Sequence, residues 1–242
     1  MRALELSSSE PLAHTILGMV AGCYDYDWQE AGRQFALAMA QNPVPAEVLA
    51  RNALYRLVPI GRVEEAVSEL RVALEQDPLN IVYRANLATA LNFARRYEQS
   101  IEEARKALEI SEANWLAHFQ LTFACTSLGR FEEALKWGED WYRLAPWFSL
   151  AGACLASLYF VVGNETRARE LVEKLPPTGM HHFGMVYFHV LSSNIDAAAD
   201  SYEKAIEEHE ALAVFGFSEL LQPLWSSPRW PKLARMMNLA PS

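Results

Sequence analysis

Residues that could do chemistry are few in this chain and widely scattered. His181 and His182 are adjacent and His189 lies seven residues after the second, so a helix would carry two imidazoles on one side. A metal centre wants closely spaced His, Cys or carboxylate ligands, and only the adjacent pair is close, so these histidines read as the polar edge of a helix start. Cys23, Cys125 and Cys154 are odd in number, far apart and without a CxxC pair, which argues against a disulfide framework or a zinc site and for a reducing, cytoplasmic compartment. Acidic pairs at Glu64-Glu65, Glu102-Glu103, Glu132-Glu133 and Glu207-Glu208 could supply acid–base carboxylates, but most recur at a regular spacing, where they favour the positive ends of helices and solubility. There is no glycine-rich phosphate loop closing on Lys-Ser/Thr and no Gly-x-Ser-x-Gly elbow, and a Ser-His-Asp triad is recognised by geometry, not by composition. The reading is non-catalytic, with no cofactor and no metal. Trp137 and Trp141 are helical neighbours, and with Trp147 they are assigned to the core.

The elements that would position any site are announced by a repeat. Gly61-Arg-Val-Glu-Glu-Ala66 returns as Arg95-Arg-Tyr-Glu-Gln-Ser100 and as Gly129-Arg-Phe-Glu-Glu-Ala134, each copy 34 residues after the last, with a weaker echo from Gly163 to Ala168. Ala66, Ser100, Ala134 and Ala168 form a column of small residues, as expected where two antiparallel helices cross closely; Tyr97 and Phe131 fill the space beside it. Gly61, Gly129 and Gly163 fall where a first helix must reverse, a place that favours left-handed backbone. Pro78 and Pro146, two periods apart, close second helices.

The bulk numbers suit such an array. Of 242 residues, 51% are hydrophobic and 21% charged, enough apolar material for a continuous core. The formal net charge of -9, from 30 acidic and 21 basic residues without a dense Lys/Arg cluster, disfavours direct nucleic-acid binding. No apolar run is long enough to span a bilayer. Met19-Val-Ala-Gly-Cys23 imitates a bacterial lipoprotein cleavage box, but Glu5, Glu10, Pro11 and His14 interrupt the apolar run it would need.

The mid-pair glycine, the following aromatic, the two acidic residues, the small residue and the closing proline resemble the tetratricopeptide repeat family. The resemblance implies an all-α, right-handed superhelical solenoid of about six helix pairs. Residues 1–10 open the chain, 11–175 carry five pairs, 176–225 a sixth and irregular one, and 226–242 a C-terminal capping helix. Tyr26-Asp-Trp28 near the start, and Leu220 to Trp230 with Leu233, Met236 and Leu239 near the end, look like one bacterial subgroup of that family, which implies the interaction module of a regulatory system.

In the family the first helices of the pairs line the concave face. That places Tyr24, Arg51, Asn52, Tyr55, Asn86, Thr89, Asn92, Phe119, Gln120 and Phe123 inward, and the function implied is a protein- or peptide-binding scaffold. Asn52, Asn86 and Gln120 lie one period apart and should form a row of amides facing an extended peptide, flanked by Tyr55 and Phe123. The two-lysine clamp by which some relatives hold a C-terminal carboxylate is absent. The alternative is a structural or oligomerisation spacer with no groove ligand.

Overall fold

The computed structural model describes residues 11–239. Among them the regular structure is helical, in six antiparallel pairs followed by short helical turns. The pairs are α1 (Pro11–Cys23) with α2 (Trp28–Ala38), α3 (Ala46–Asn52) with α4 (Val63–Gln76), α5 (Ile81–Phe93) with α6 (Tyr97–Ile110), α7 (Trp115–Ser127) with α8 (Phe131–Leu144), α9 (Ser149–Val161) with α10 (Glu165–Glu173), and α11 (His181–Leu191) with α12 (Ile195–Glu207). After α12 come single 3-10 turns at Ala213–Phe215 and Glu219–Leu221, then α13 (Gln222–Trp225) and α14 (Trp230–Met236). This is the all-α solenoid that the repeat predicts.

Side-chain chemistry sets the boundaries. Asp27, Asn80, Asn114, Asn164 and Asn194 each accept a backbone N–H of the first turn that follows, satisfying donors that a helix start leaves unpaired. Each pair reverses through one left-handed residue: Tyr26, Gly61, Arg95, Gly129, Gly163 and Ser193. A Cβ added at Gly61, Gly129 or Gly163 would meet nothing within 4 Å, so glycine is there for its backbone freedom and not for space. Arg95 adopts the same conformation at φ 57°, with its side chain paired to Glu219. The small column is where the period puts it: Ala66, Ser100, Ala134 and Ala168 are all fully buried, and the Ser100 hydroxyl donates to the Ala88 carbonyl of α5 at 2.8 Å.

Two features depart from the sequence reading. α3 runs into a π-helical turn at Ala53–Leu57. From Pro45, just before α3, to the start of α4 at Val63 is one residue more than from Asn80 to Tyr97 or from Asn114 to Phe131. A π turn is how a helix absorbs one extra residue. The second departure is that the two ends of the array meet. The Trp28 indole donates to the Met237 carbonyl at 2.8 Å, the Asn238 amide to the Tyr26 carbonyl at 3.1 Å, and the Tyr26 hydroxyl to the Ile206 carbonyl at 3.2 Å. Tyr24 stacks on His209, ring centroids 4.1 Å apart. α14 therefore packs on α12, and the residues just after it, Met237 and Asn238, bond to Trp28 and Tyr26 where α1 turns into α2.

The tryptophans divide. Trp141 is fully buried and stacks on Phe119 at 4.6 Å, and Trp137 packs edge-on to His118, but Trp147 is 61% exposed and does not belong to the core. None of the described helices is long and apolar enough to cross a membrane.

Candidate functional site

The inner faces of α3, α5, α7 and α11 line an open-mouthed cavity of about 660 Å³, bounded on one side by Ala211, Leu212 and Phe215 from the segment after α12. Counting from the residue before each helix shows why these side chains converge. Glu47, Val82 and Leu116 come second; Arg51, Asn86 and Gln120 sixth; Leu54, Thr89 and Phe123 ninth. That spacing is one face of a helix, presented three times over by stacked pairs.

Eight of the ten inward residues read from the sequence line this cavity: Arg51, Tyr55, Asn86, Thr89, Asn92, Phe119, Gln120 and Phe123. Asn52 does not. It is 0% exposed, its amide donates to both carboxylate oxygens of Glu69 on α4 (3.0 and 2.8 Å), and its own oxygen accepts from Arg56 at 3.5 Å. Asn52 thus ties α3 to α4, and the expected row of three amides is corrected to Arg51, Asn86 and Gln120. The cause is the extra residue in the second pair, which turns the position 34 residues before Asn86 off the inner face. Tyr24 is likewise outside the cavity, exposed and stacked on His209.

The sequence reading missed the opposite wall. Phe183 and Tyr187 of α11, with Leu212 and Phe215, close the cavity. Phe215 lies 5.6 Å from Phe93, Phe93 6.5 Å from Phe123, and Phe123 6.0 Å from Tyr187, so a belt of rings runs across the site. The segment after α12 is pinned there by Tyr97, whose hydroxyl donates to Glu219, and by the 3.4 Å approach of Tyr187 and Ser218. A signal was present: Ala211 to Phe217 is an apolar run that the repeat leaves unused.

The electrostatics of the site are those of a neutral pocket. Arg51 donates through Nε and Nη2 to Glu47, at 2.9 and 2.7 Å, so the two charges at the rim answer each other. Burial raises the pKa of Tyr55, Tyr83 and Tyr187, which keeps their phenols protonated. At the floor, Asn92 Nδ2 donates to Gln120 Oε1 at 3.0 Å. Asn92 is 3% exposed and Gln120 2%, yet Asn92 Oδ1 and Gln120 Nε2 have no hydrogen-bond partner.

The groups weighed for catalysis are dispersed. His181 Nδ1 meets the Ser149 hydroxyl at 3.1 Å and His182 Nε2 meets Glu208 at 3.2 Å. Burial pushes the thiols of Cys23, Cys125 and Cys154 up to about 12, far from thiolate formation. Glu64 and Glu98 pair with Arg96 and Arg130 of the following repeats in an exposed ladder that contributes little stability.

No protein-family model matches the chain, and no curated protein matches it. Solved structures do. A tetratricopeptide repeat protein from Parabacteroides merdae ATCC 43184 is similar over 90% of this chain and 88% of its own, at 17% identity and a TM-score of 0.62. TTC0263, a thermophilic TPR protein of Thermus thermophilus, is similar over 73% of this chain and 99% of its own, at 17% identity and a TM-score of 0.56. MamA MSR-1 covers 68% of this chain and 97% of its own, at 20% identity and a TM-score of 0.51. At these identities the likeness establishes the fold, a tetratricopeptide repeat array.

Proposed function

We propose that this tetratricopeptide repeat array is a non-catalytic protein-interaction scaffold that takes a short segment of a partner protein into its inner cavity. The single observation that carries the reading is convergence: four first helices and the returning C-terminal segment turn aromatic and amide side chains onto one concave space. A cavity of about 660 Å³ lies within the roughly 300–1,000 Å³ span of pockets that bury a ligand, and a predominantly apolar lining with a few placed polar groups is their usual composition. The lining comes from four first helices and the segment after α12, and a cavity of this volume suits a short segment better than a strand laid along the whole array. Membership of a bacterial regulatory system, a cytoplasmic setting and the chain divisions at 10, 175 and 225 belong to the same proposal.

The test fills the cavity from within. Thr89→Trp and Leu116→Trp place bulk on half-buried lining positions, while Lys136→Ala alters the exposed face of α8. With a photo-crosslinker at Val82, partner capture from native lysate should fall for the filled variants at unchanged urea midpoint and persist for Lys136→Ala. Capture that survives filling but is lost with Lys136 would move the interaction to the outer face. Capture indifferent to every variant would leave the spacer reading standing.

A further inference from the structure

We propose that the edge of the array where one pair turns into the next is a second docking surface, and that it takes a basic, amphipathic helix of a partner protein. It borders the cavity at Val82 but is a separate surface, and it does not depend on the cavity being filled. The carrying observation is a column at the tips of the inter-pair turns: Val44, Leu79, Ala113 and Trp147 each stand immediately before the residue that caps the next first helix. Stacking sets these tips along one edge, because every inter-pair turn lies at the same end of its pair. Leu79 is 74% exposed and Trp147 61%, and the exposed side chains of Val82 at the start of α5 and Ile110 at the end of α6 extend the apolar strip. Trp147 is braced by Trp115 and Phe148, at ring distances of 6.2 and 5.4 Å, yet most of its surface stays in water.

Charge identifies the occupant. Glu75 and Glu109 lie in the last turns of α4 and α6, and Asp77 and Glu112 in the turns that follow. All four are exposed, and none has an ion-pair partner among the described residues, not even Glu75 with Arg71 one turn before it. Other cations close in sequence are held elsewhere, Arg84 and Lys106 by Glu103 and Arg105 by Glu133. The C-terminus of a helix carries partial negative charge, so carboxylates there have the wrong sign for stability. An apolar strip margined by uncompensated carboxylates is the complement of a helix with apolar residues on one face and Lys or Arg beside them. The spacing also suits a helix: packed helices lie about 8 to 10 Å apart, and seven residues of a helix advance about 10 Å, so residues one heptad apart meet successive tips. The same carboxylates repel an anionic lipid surface.

The probe is the capped peptide acetyl-Leu-Lys-Lys-Leu-Leu-Lys-Leu-Leu-Lys-Lys-Leu-Leu-Lys-Leu-amide, compared with a version carrying Glu at every Lys. Each is titrated into the full chain and followed through the NMR signals of the Trp147 indole, the Leu79 and Val82 methyls and, for the cavity, the Phe119 ring. The Lys peptide should move Trp147 and Leu79 and leave Phe119 in place, and the Glu peptide should move none of them. Glu75→Gln/Glu109→Gln/Glu112→Gln should weaken the Lys peptide about tenfold, and so should Leu79→Ser/Trp147→Ser, read from Val82. Asp25→Asn/Glu132→Gln/Glu207→Gln, an equal loss of charge away from the strip, should weaken it less than about twofold. Every substituted side chain is exposed, so the urea midpoints should hold. If the two charge variants weaken binding alike, the attraction is to net charge and the edge is no site. If the Lys peptide moves Phe119 and Thr89→Trp abolishes its binding, the peptide enters the cavity, and this proposal falls while the partner-segment reading stands. A Lys peptide that moves neither Trp147 nor Leu79 overturns the proposal. So do signals that answer to phosphatidylcholine vesicles and not to the peptide, or to protein concentration alone, because the edge is then a membrane contact or an interface between copies.

Discussion

Two helical glycines should respond in opposite directions to one substitution. Gly184 lies in α11 where it crosses α9. A Cβ there would stand 2.9 Å from Ala153 Cβ and 3.0 Å from Leu150 Cα, neither of which is the movable end of a side chain. Gly32 lies in α2, and the nearest atoms to its added Cβ are Arg56 Nη2 at 3.2 Å and Nε at 3.3 Å, the tip of a long chain that can swing aside. Alanine gains about 1 kcal/mol over glycine in a helix interior at both places. At Gly184 that gain meets an overpacking cost of about 1 to 3 kcal/mol, because α9 and α11 must move apart. Gly184→Ala should therefore lower stability by up to about 2 kcal/mol, and Gly32→Ala should raise it by about 0.5 to 1 kcal/mol. Urea unfolding followed by far-UV circular dichroism reads both through the midpoint at constant slope. Midpoints moving the same way would refute the reasoning, since propensity alone would then account for both sites.

Two further outcomes follow from the same structure. Trp28→Phe with Asn238→Ala removes two of the bonds joining the ends of the array, at 2.8 and 3.1 Å, and should cost about 1 to 3 kcal/mol in urea unfolding; an unchanged midpoint would show that the ends are not held by them. His181 and His189 both have a pKa lowered from 6.5, His181 by burial and then by His182, His189 by burial alone. The native state keeps them neutral while the unfolded chain takes up protons, so their contribution is complete above pH 6.5 and is lost as pH falls toward the folded values. His181→Gln/His189→Gln should flatten the decline in stability between about pH 7 and about pH 5, and an identical slope in the variant would count against buried neutral histidines.

The parts of the molecule visible in the sequence are those where a physical demand repeats. A close crossing wants a small residue in every pair, so Ala66, Ser100, Ala134 and Ala168 announce themselves, and a reversal wants left-handed backbone, so Gly61, Gly129 and Gly163 do too. The cavity was legible to the same degree, because α5 and α7 repeat their inner faces faithfully. Asn52 was misplaced because a fixed period was carried across an extra residue, and the interval from Pro45 to Val63, compared with that from Asn80 to Tyr97, holds the clue. The wall made by Leu212 and Phe215 had no such template: its position depends on how far six pairs curve, a property summed over all their interfaces and written at no single residue.

The meeting of Tyr24, Tyr26 and Trp28 with His209, Met237 and Asn238 changes the mechanics of the molecule. An open stack of repeats behaves like a spring, stretching and untwisting as each junction yields a little, and its last coil works loose first. Joined end to end, the stack becomes a hoop, in which one junction can widen only if others narrow. A ligand entering this cavity meets a rim that is already set, so little of its interaction is consumed in shaping the site.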